Sequence, residues 1–168
     1  MDKKETSQSE PYILFELAET TYGVPSRYVQ QMEMVENLTP VPNAPAYVDG
    51  VMFSRGQVIP AVNLRMRFGF PKKEYDLRTR VIVVRDNDRV VGLIVDSARE
   101  YISLPSETIQ PPPETITGLS GRYLQGIAKL GKRIILIFNI AEILKFDEIQ
   151  ELVKEGEPND SIINETNK

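Results

Sequence analysis

The chain has 168 residues, 41% apolar and 26% charged, the make-up of a folded globular protein with room for one ordinary domain or two very small ones on a shared core. Its formal charge of -4 is gathered at one end, where Asp147 to Lys168 carries seven acids and two bases, so the balanced remainder offers no basic stripe for nucleic acid or a membrane surface. With no cysteine and no histidine, disulfides, thiolate and zinc sites and the familiar triads drop out, and only carboxylate-pair or Ser–Lys chemistry is left to an enzyme.

No apolar run approaches the ~20 residues that cross a bilayer, and Met1 to Glu10 is polar, unlike a signal peptide, so a cytoplasmic protein is expected. Residues 1–9 are read as a flexible leader. Tyr12 to Leu17 reads as a strand, followed by a polar turn and a second short strand around Tyr22 to Val24. Ser26 is placed to cap a helical turn carrying Tyr28 and Val29, which leads into the apolar segment Met32 to Val35. Asn37 to Pro45 holds three prolines and is a loop.

Three hairpins follow by pattern. Val48 to Phe53 and Gln57 to Val62 flank Ser54-Arg55-Gly56; Arg80 to Arg85 and Arg89 to Asp96 flank Asp86-Asn87-Asp88; Ile127 to Leu130 and Ile134 to Phe138 flank Gly131-Lys132-Arg133. After Asn139, the spacing of Ile140, Ile143, Leu144, Ile149, Leu152 and Val153 predicts an amphipathic C-terminal helix. The composition beyond Gly156 predicts a disordered end.

The sequence also repeats itself. Tyr47-Val48-Asp49-Gly50-Val51 matches Tyr123-Leu124-Gln125-Gly126-Ile127, and the match runs without a gap to Asn63-Leu64 and Asn139-Ile140, a constant offset of 76 positions. Upstream, Tyr22-Gly23-Val24 resembles Val91-Gly92-Leu93 at a similar offset. Two strand–turn–strand units can look alike by chance, but the shared Tyr, Gly and Asn favour a duplicated unit, hence two related sheets or small barrels.

Candidate chemical motifs do not hold. Gly126 to Arg133 nearly spells a phosphate loop, but Arg133 stands where a magnesium-binding hydroxyl is needed, and a β-branched strand follows in place of a helix. Asp86-Asn87-Asp88 opens like a calcium loop, yet Val90 falls on the next ligand position and no closing glutamate follows. Pro111-Pro112-Pro113 could form an extended proline helix for a partner, but a rigid connector between sheets is the favoured reading. Glu33 and Glu36 are not placed around any cleft by the sequence. Arg55, at a hairpin tip before Gly56, is available for carboxylate pairing, although spacing alone favours a solvated turn charge.

Asn43-Ala44-Pro45-Ala46-Tyr47-Val48-Asp49-Gly50-Val51, then Ser54-Arg55-Gly56-Gln57-Val58-Ile59-Pro60, Asn63-Leu64-Arg65 and Phe68-Gly69, resemble the CheW family, whose members couple chemoreceptors to the histidine kinase CheA in bacterial chemotaxis. Val90 to Asp96 resembles that family's second signature stretch, and Tyr123 to Ile127 with Asn139-Ile140 its third. The match spans about Glu10 to Phe146 in the family's order and spacing. Two departures stand out: Phe53-Ser54 where Asn-Leu is usual before Arg-Gly, and Asn63 where Asp is frequent.

The resemblance implies a mainly β fold of two packed five-stranded, Src-homology-3-like barrels with short helices and a C-terminal helix. The domain would cover residues 10–146, with one subdomain over about 15–78 and the other over about 79–140 plus the first strand; 147–168 would be an acidic tail, helical passing to disordered. The implied activity is non-catalytic, without cofactor or metal: an adaptor recruited from the cytoplasm to receptor arrays, linking methyl-accepting receptors to the regulatory domain of CheA. Positions matching the family's receptor groove are Val29, Gln31, Gly50, Arg55, Val81, Gly92 and Tyr101; apolar side chains there suit a helix face and the glycines permit close approach. Gln110 and Thr115 match positions of an end-to-end kinase contact. Rival readings are an adaptor of a related pathway outside chemotaxis and, in another class, a small β-barrel carboxylate enzyme or ligand-binding protein.

Overall fold

The computed structural model describes residues 8–113 and 122–145. Their strands are β1 (Ser9–Leu17), β2 (Thr20–Pro25), β3 (Val29–Met34), β4 (Val48–Ser54), β5 (Gln57–Asn63), β6 (Arg80–Asp86), β7 (Arg89–Val95), β8 (Ser97–Pro105), β9 (Ile109–Gln110), β10 (Leu124–Leu130) and β11 (Arg133–Phe138). Two one-turn helices, α1 (Leu64–Arg67) and α2 (Ile140–Ile143), follow β5 and β11. Residues 1–7, Thr115 and the expected continuation of the C-terminal helix through Ile149, Leu152 and Val153 into the acidic tail lie outside the described residues.

All three predicted hairpins form. The β4–β5 turn has Arg55 at φ 52° and Gly56 at φ 79°, two left-handed residues whose twist matches the flanking strands. The helical turn after β2 is the 3-10 segment Ser26–Tyr28, but Ser26 makes no capping bond and Pro25 occupies the cap position. The nine-residue β8 was not anticipated: its two polar, exposed neighbours Arg99 and Glu100 break the apolar alternation that marks a strand.

The strands form two sheets, a six-stranded one in the order β8-β1-β2-β11-β10-β9 and a five-stranded one in the order β3-β6-β7-β5-β4. We call these barrel A and barrel B. The split does not fall at residue 78. Barrel A takes β1 and β2 with β8 to β11, while barrel B takes β3 to β7, so each barrel contains strands from both halves of the repeat. The reason is that β2 and β7 each lead into a strand that crosses to the other sheet: β3 pairs with β6, and β8 with β1.

The repeat itself is structural. Gly23 in Ile137↔Gly23 and Gly92 in Ala61↔Gly92 occupy equivalent places in the parallel pairings β11–β2 and β5–β7. The duplicated Asn63 and Asn139 cap α1 and α2, each side chain accepting from the backbone N–H three residues on, Met66 and Glu142. Each also donates its own N–H to the duplicated tyrosine carbonyl, Asn63 to Tyr47 at 2.7 Å and Asn139 to Tyr123 at 2.8 Å. The repeated glycines explain themselves. Both sit at β-bulges, and a Cβ on Gly50 would lie 2.5 Å from the Thr39 carbonyl oxygen, one on Gly126 2.7 Å from Ile109 Cγ2.

Among the described residues, three apolar layers hold the fold together. Tyr12, Leu14, Leu104, Ala128, Ile135 and Ile137 fill barrel A; Met52, Ile59, Ala61, Val81, Val83, Val90 and Ile94 fill barrel B. Between the barrels a larger shared core takes the alternate residues of the same strands, among them Ile13, Phe15 and Leu17 of β1 and Ile82 and Val84 of β6. β1 and β6 are therefore buried on both faces over these stretches, which is why they read as near-continuous apolar runs. Each such side chain contributes about 1.5–3 kcal/mol on leaving water.

Candidate partner-binding surface

The seven positions matched to a receptor groove fall into three places. Val81, Gly92 and Gly50 are interior. Val81 is fully buried in barrel B, and a Cβ at Gly92 would meet Val81 Cγ1 at 2.8 Å. Gly50 yields its space to the backbone of Thr39, whose N–H and carbonyl bond Val51 and close the barrel. The close approach at these glycines is to other segments of this chain, and all three residues are buried.

Gln31 is tied to Ser54, the chain neighbour of Arg55, at one end of barrel B. Gln31 lies opposite Val83 and turns with it toward the barrel interior, where its Nε2 donates to Ser54 Oγ at 2.7 Å and also to the Glu33 carboxylate. This bond joins the edge strand β3 to the base of the β4–β5 turn, and Arg55 projects exposed from the next position. Glu33 therefore works as an acceptor in this small network.

Val29 and Tyr101 belong to a third place, the margin of the shared core. Cross-strand partners lie on one face of a sheet. Tyr101 opposes Ile13 and Met32 opposes Ile82, both shared-core residues, so Tyr101 and Met32 carry that apolar layer to the surface. Val29 packs against the same core. Tyr101 is 68% exposed, and Met32 and Met34 are each 42% exposed. The repeat relates the two flanks: Met32 on β3 stands where Tyr101 stands on β8, in matched registers against β6 and β1. The result is an apolar layer with an exposed rim on each of two edge strands, β3 and β8, and exposed apolar rims of this kind suit the apolar face of a helix.

Sequence reading missed Met32 and Met34 as surface residues, and Phe53, which is 74% exposed on β4 beside Arg55. The alternation Met32-Glu33-Met34 was the available signal for a shared face, but it did not say that the face is left open. Gln110 is exposed on β9 and pairs with Ile127; Thr115 lies outside the described residues.

The mouth of barrel A is built differently. Glu100, at the position equivalent to Gln31, accepts from Arg133 Nη1 and Nη2 at 3.2 and 2.9 Å. The Arg133 hydrogen bond holds the Glu100 carboxyl below its usual range, and the Arg133 guanidinium is raised in turn. A cleft of about 330 Å³ lined by Glu16, Thr21, Arg99, Glu100 and Arg133 lies there. A general acid working near neutral pH needs a carboxyl pushed up, whereas Glu100 is pushed down and tied to Arg133, so Glu100 does not suit that role.

Residues 11–148 match the family described as the CheW-like domain. The chemotaxis protein CheW of Klebsiella aerogenes is 33% identical over 138 residues, covering 82% of this chain and 83% of that protein. That of Helicobacter pylori is 34% identical over 136 residues, covering 81% and 82%. Among solved structures, the scaffolding protein TtCheW from Thermoanaerobacter tengcongensis superposes with a TM-score of 0.77 at 29% identity, covering 84% of this chain and 96% of that one.

Proposed function

The chain belongs to the CheW-like domain family, and from that membership we propose that it is a chemotaxis scaffold coupling chemoreceptors to the histidine kinase CheA. Members of the family are adaptors and not enzymes, and this chain is one of them. The observation that carries the finer reading is the apolar margin of the shared core, where Met32, Met34 and Tyr101 are exposed and Val29 is half-buried, between two barrels whose ends are left for a second partner.

In this reading the receptor's cytoplasmic tip lays the apolar face of a helix along β3 and β8, with Arg55 pairing at the rim. Gly50, Val81 and Gly92 act from inside by fixing the wall that carries the contact strands. The regulatory domain of the kinase takes a barrel end, with Gln110 and Thr115 as candidate contacts. Among the described residues no helix is long and apolar enough to cross a membrane, and recruitment to membrane arrays would come through the receptor.

The test is a pull-down of the full chain with the kinase regulatory domain and with receptor tips from the same organism. Binding to both is expected. Tyr101→Ala and Met32→Ala should weaken receptor capture by about tenfold or more while leaving kinase capture intact, as befits a few central residues carrying most of the affinity. Absence of binding to either partner would end the coupling reading, and an unchanged Arg55→Ala variant would remove Arg55 from the site.

A further inference from the structure

Two methionines stand side by side on the open face of an edge strand, in a chain whose other described methionines are sheltered. Met32 and Met34 are each 42% exposed, Met52 is 8% exposed inside barrel B, and Met66 is half-buried on α1. The equivalent positions on the other rim carry Tyr101 and Ser103, neither a thioether. One rim of the apolar margin is thus open to two-electron oxidation at sulfur, and the other is not.

We infer that Met32 and Met34 form a reversible oxidation site that turns off partner docking on the β3 rim, an inference that rests on the coupling function proposed above. The oxidant is a peroxide of the hydrogen peroxide class. Its O–O bond breaks as the thioether sulfur lone pair takes one oxygen, the sulfur is oxidised to a sulfoxide, and the second oxygen leaves as water. A sulfoxide turns a flexible apolar side chain into a polar one with a strong acceptor, and an apolar helix face pressed on β3 offers that acceptor no donor. The shared core beneath does not rely on the two sulfurs for its cover, because Ile82, across the strand pair from Met32, is fully buried while Met32 is exposed. A methionine sulfoxide reductase, supplied with a dithiol reductant whose two thiols go to a disulfide while the sulfoxide oxygen leaves as water, returns the thioether and the surface.

The experiment titrates the full chain with hydrogen peroxide and follows each methionine by peptide mass spectrometry. Receptor-tip capture and thermal unfolding are measured on the same samples. Met32 and Met34 should gain one oxygen at least about tenfold faster than Met52, following exposure. Receptor capture should fall about tenfold or more as they do, with the unfolding temperature little changed, and reductase should restore it. The double variant M32L/M34L should lose the response to peroxide, its capture after treatment equalling its own capture before, whatever that level is, and M32Q/M34Q should resemble the oxidised chain.

Equal oxidation rates at Met32, Met34 and Met52 would overturn the site whatever the partner proves to be. Full receptor capture by chain oxidised at both residues would overturn the switch. If unoxidised chain fails to capture receptor, the coupling reading falls and takes the switch with it, while the mass spectrometry still decides the selectivity of oxidation.

Discussion

Barrels A and B have equivalent strand orders but are finished with different chemistry. On the barrel A side of the shared core Phe15, Tyr22 and Phe138 pack with ring centroids 5.0–5.7 Å apart, and Phe68 and Tyr123 extend the cluster. The equivalent positions of barrel B hold Val84, Val91 and Val62. At the mouths, an arginine–glutamate pair in barrel A faces a Gln31–Ser54–Glu33 network in barrel B. Large rings on one side share a single core with small branched chains on the other, a combination that fills an interface between two similar surfaces better than two copies of either. A duplicated backbone thus leaves its halves free to diverge wherever a side chain faces the other half or solvent, and holds them alike where backbone geometry is demanding.

Replacing the aromatic half tests this contrast at its largest. Phe138→Ala should cost about 3–5 kcal/mol in denaturant unfolding, against about 1.5–3 kcal/mol for its counterpart Val62→Ala. Equal losses would mean that the two halves of the core bear equal weight.

The paired glycines come next. Gly50 has φ +147° and a carbonyl oxygen 2.5 Å from where a Cβ would stand, whereas at Gly126 the nearest atom is the side-chain methyl of Ile109, which can shift. Gly50→Ala should therefore lose about 2 kcal/mol or more, and Gly126→Ala clearly less. The expected order reverses if barrel A closes more rigidly than barrel B.

The two helix caps should differ more modestly. Asn139→Ala removes one capping bond and should cost about 1 kcal/mol. Asn63→Ala should cost more, because Asn63 Nδ2 also donates at 2.9 Å to Asp49, which in turn accepts from the Tyr75 hydroxyl of the loop after α1. Burial and this carboxylate push the Tyr75 phenol above its ordinary range, so the hydroxyl stays a donor at neutral pH. Thermal unfolding of the two single variants measures the difference.

The smallest effect lies at the mouths. Because the Glu100 carboxyl is lowered in the folded chain from its value of 4.5, its contribution is present above about pH 4.5 and lost as the pH falls through the folded value. The pair is about half exposed, so the whole contribution is under about 1 kcal/mol and is weakened by salt. Arg133→Ala should flatten the acid limb of the stability profile by that amount, and Gln31→Ala, which removes no charge, should leave its shape alone.

Much of this was legible before any coordinates. The hairpins announced themselves through turn residues between apolar runs, and the repeat through Tyr47, Gly50 and Asn63 recurring at Tyr123, Gly126 and Asn139. The structure gives each of those three a local geometric duty: a carbonyl that accepts from the asparagine, a bulge with no room for a Cβ, and a helix cap. Less of the candidate surface could be read. Val81 and Gly92 match contact positions yet lie inside, and Met32 and Met34 read as an ordinary apolar segment yet lie open.

The sequence by itself therefore determined the mainly β class, the duplicated unit and the absence of His- or Cys-based chemistry, because turns, bulges and caps are decided within a few residues of backbone. Only the tertiary structure decided that β3 and β8 exchange between the sheets and that the shared core ends in exposed rims. A strand's period of two sorts its residues into two faces, but what covers a face depends on strands far away in the chain. For β1 and β6 both faces are covered; for β3 one remains open.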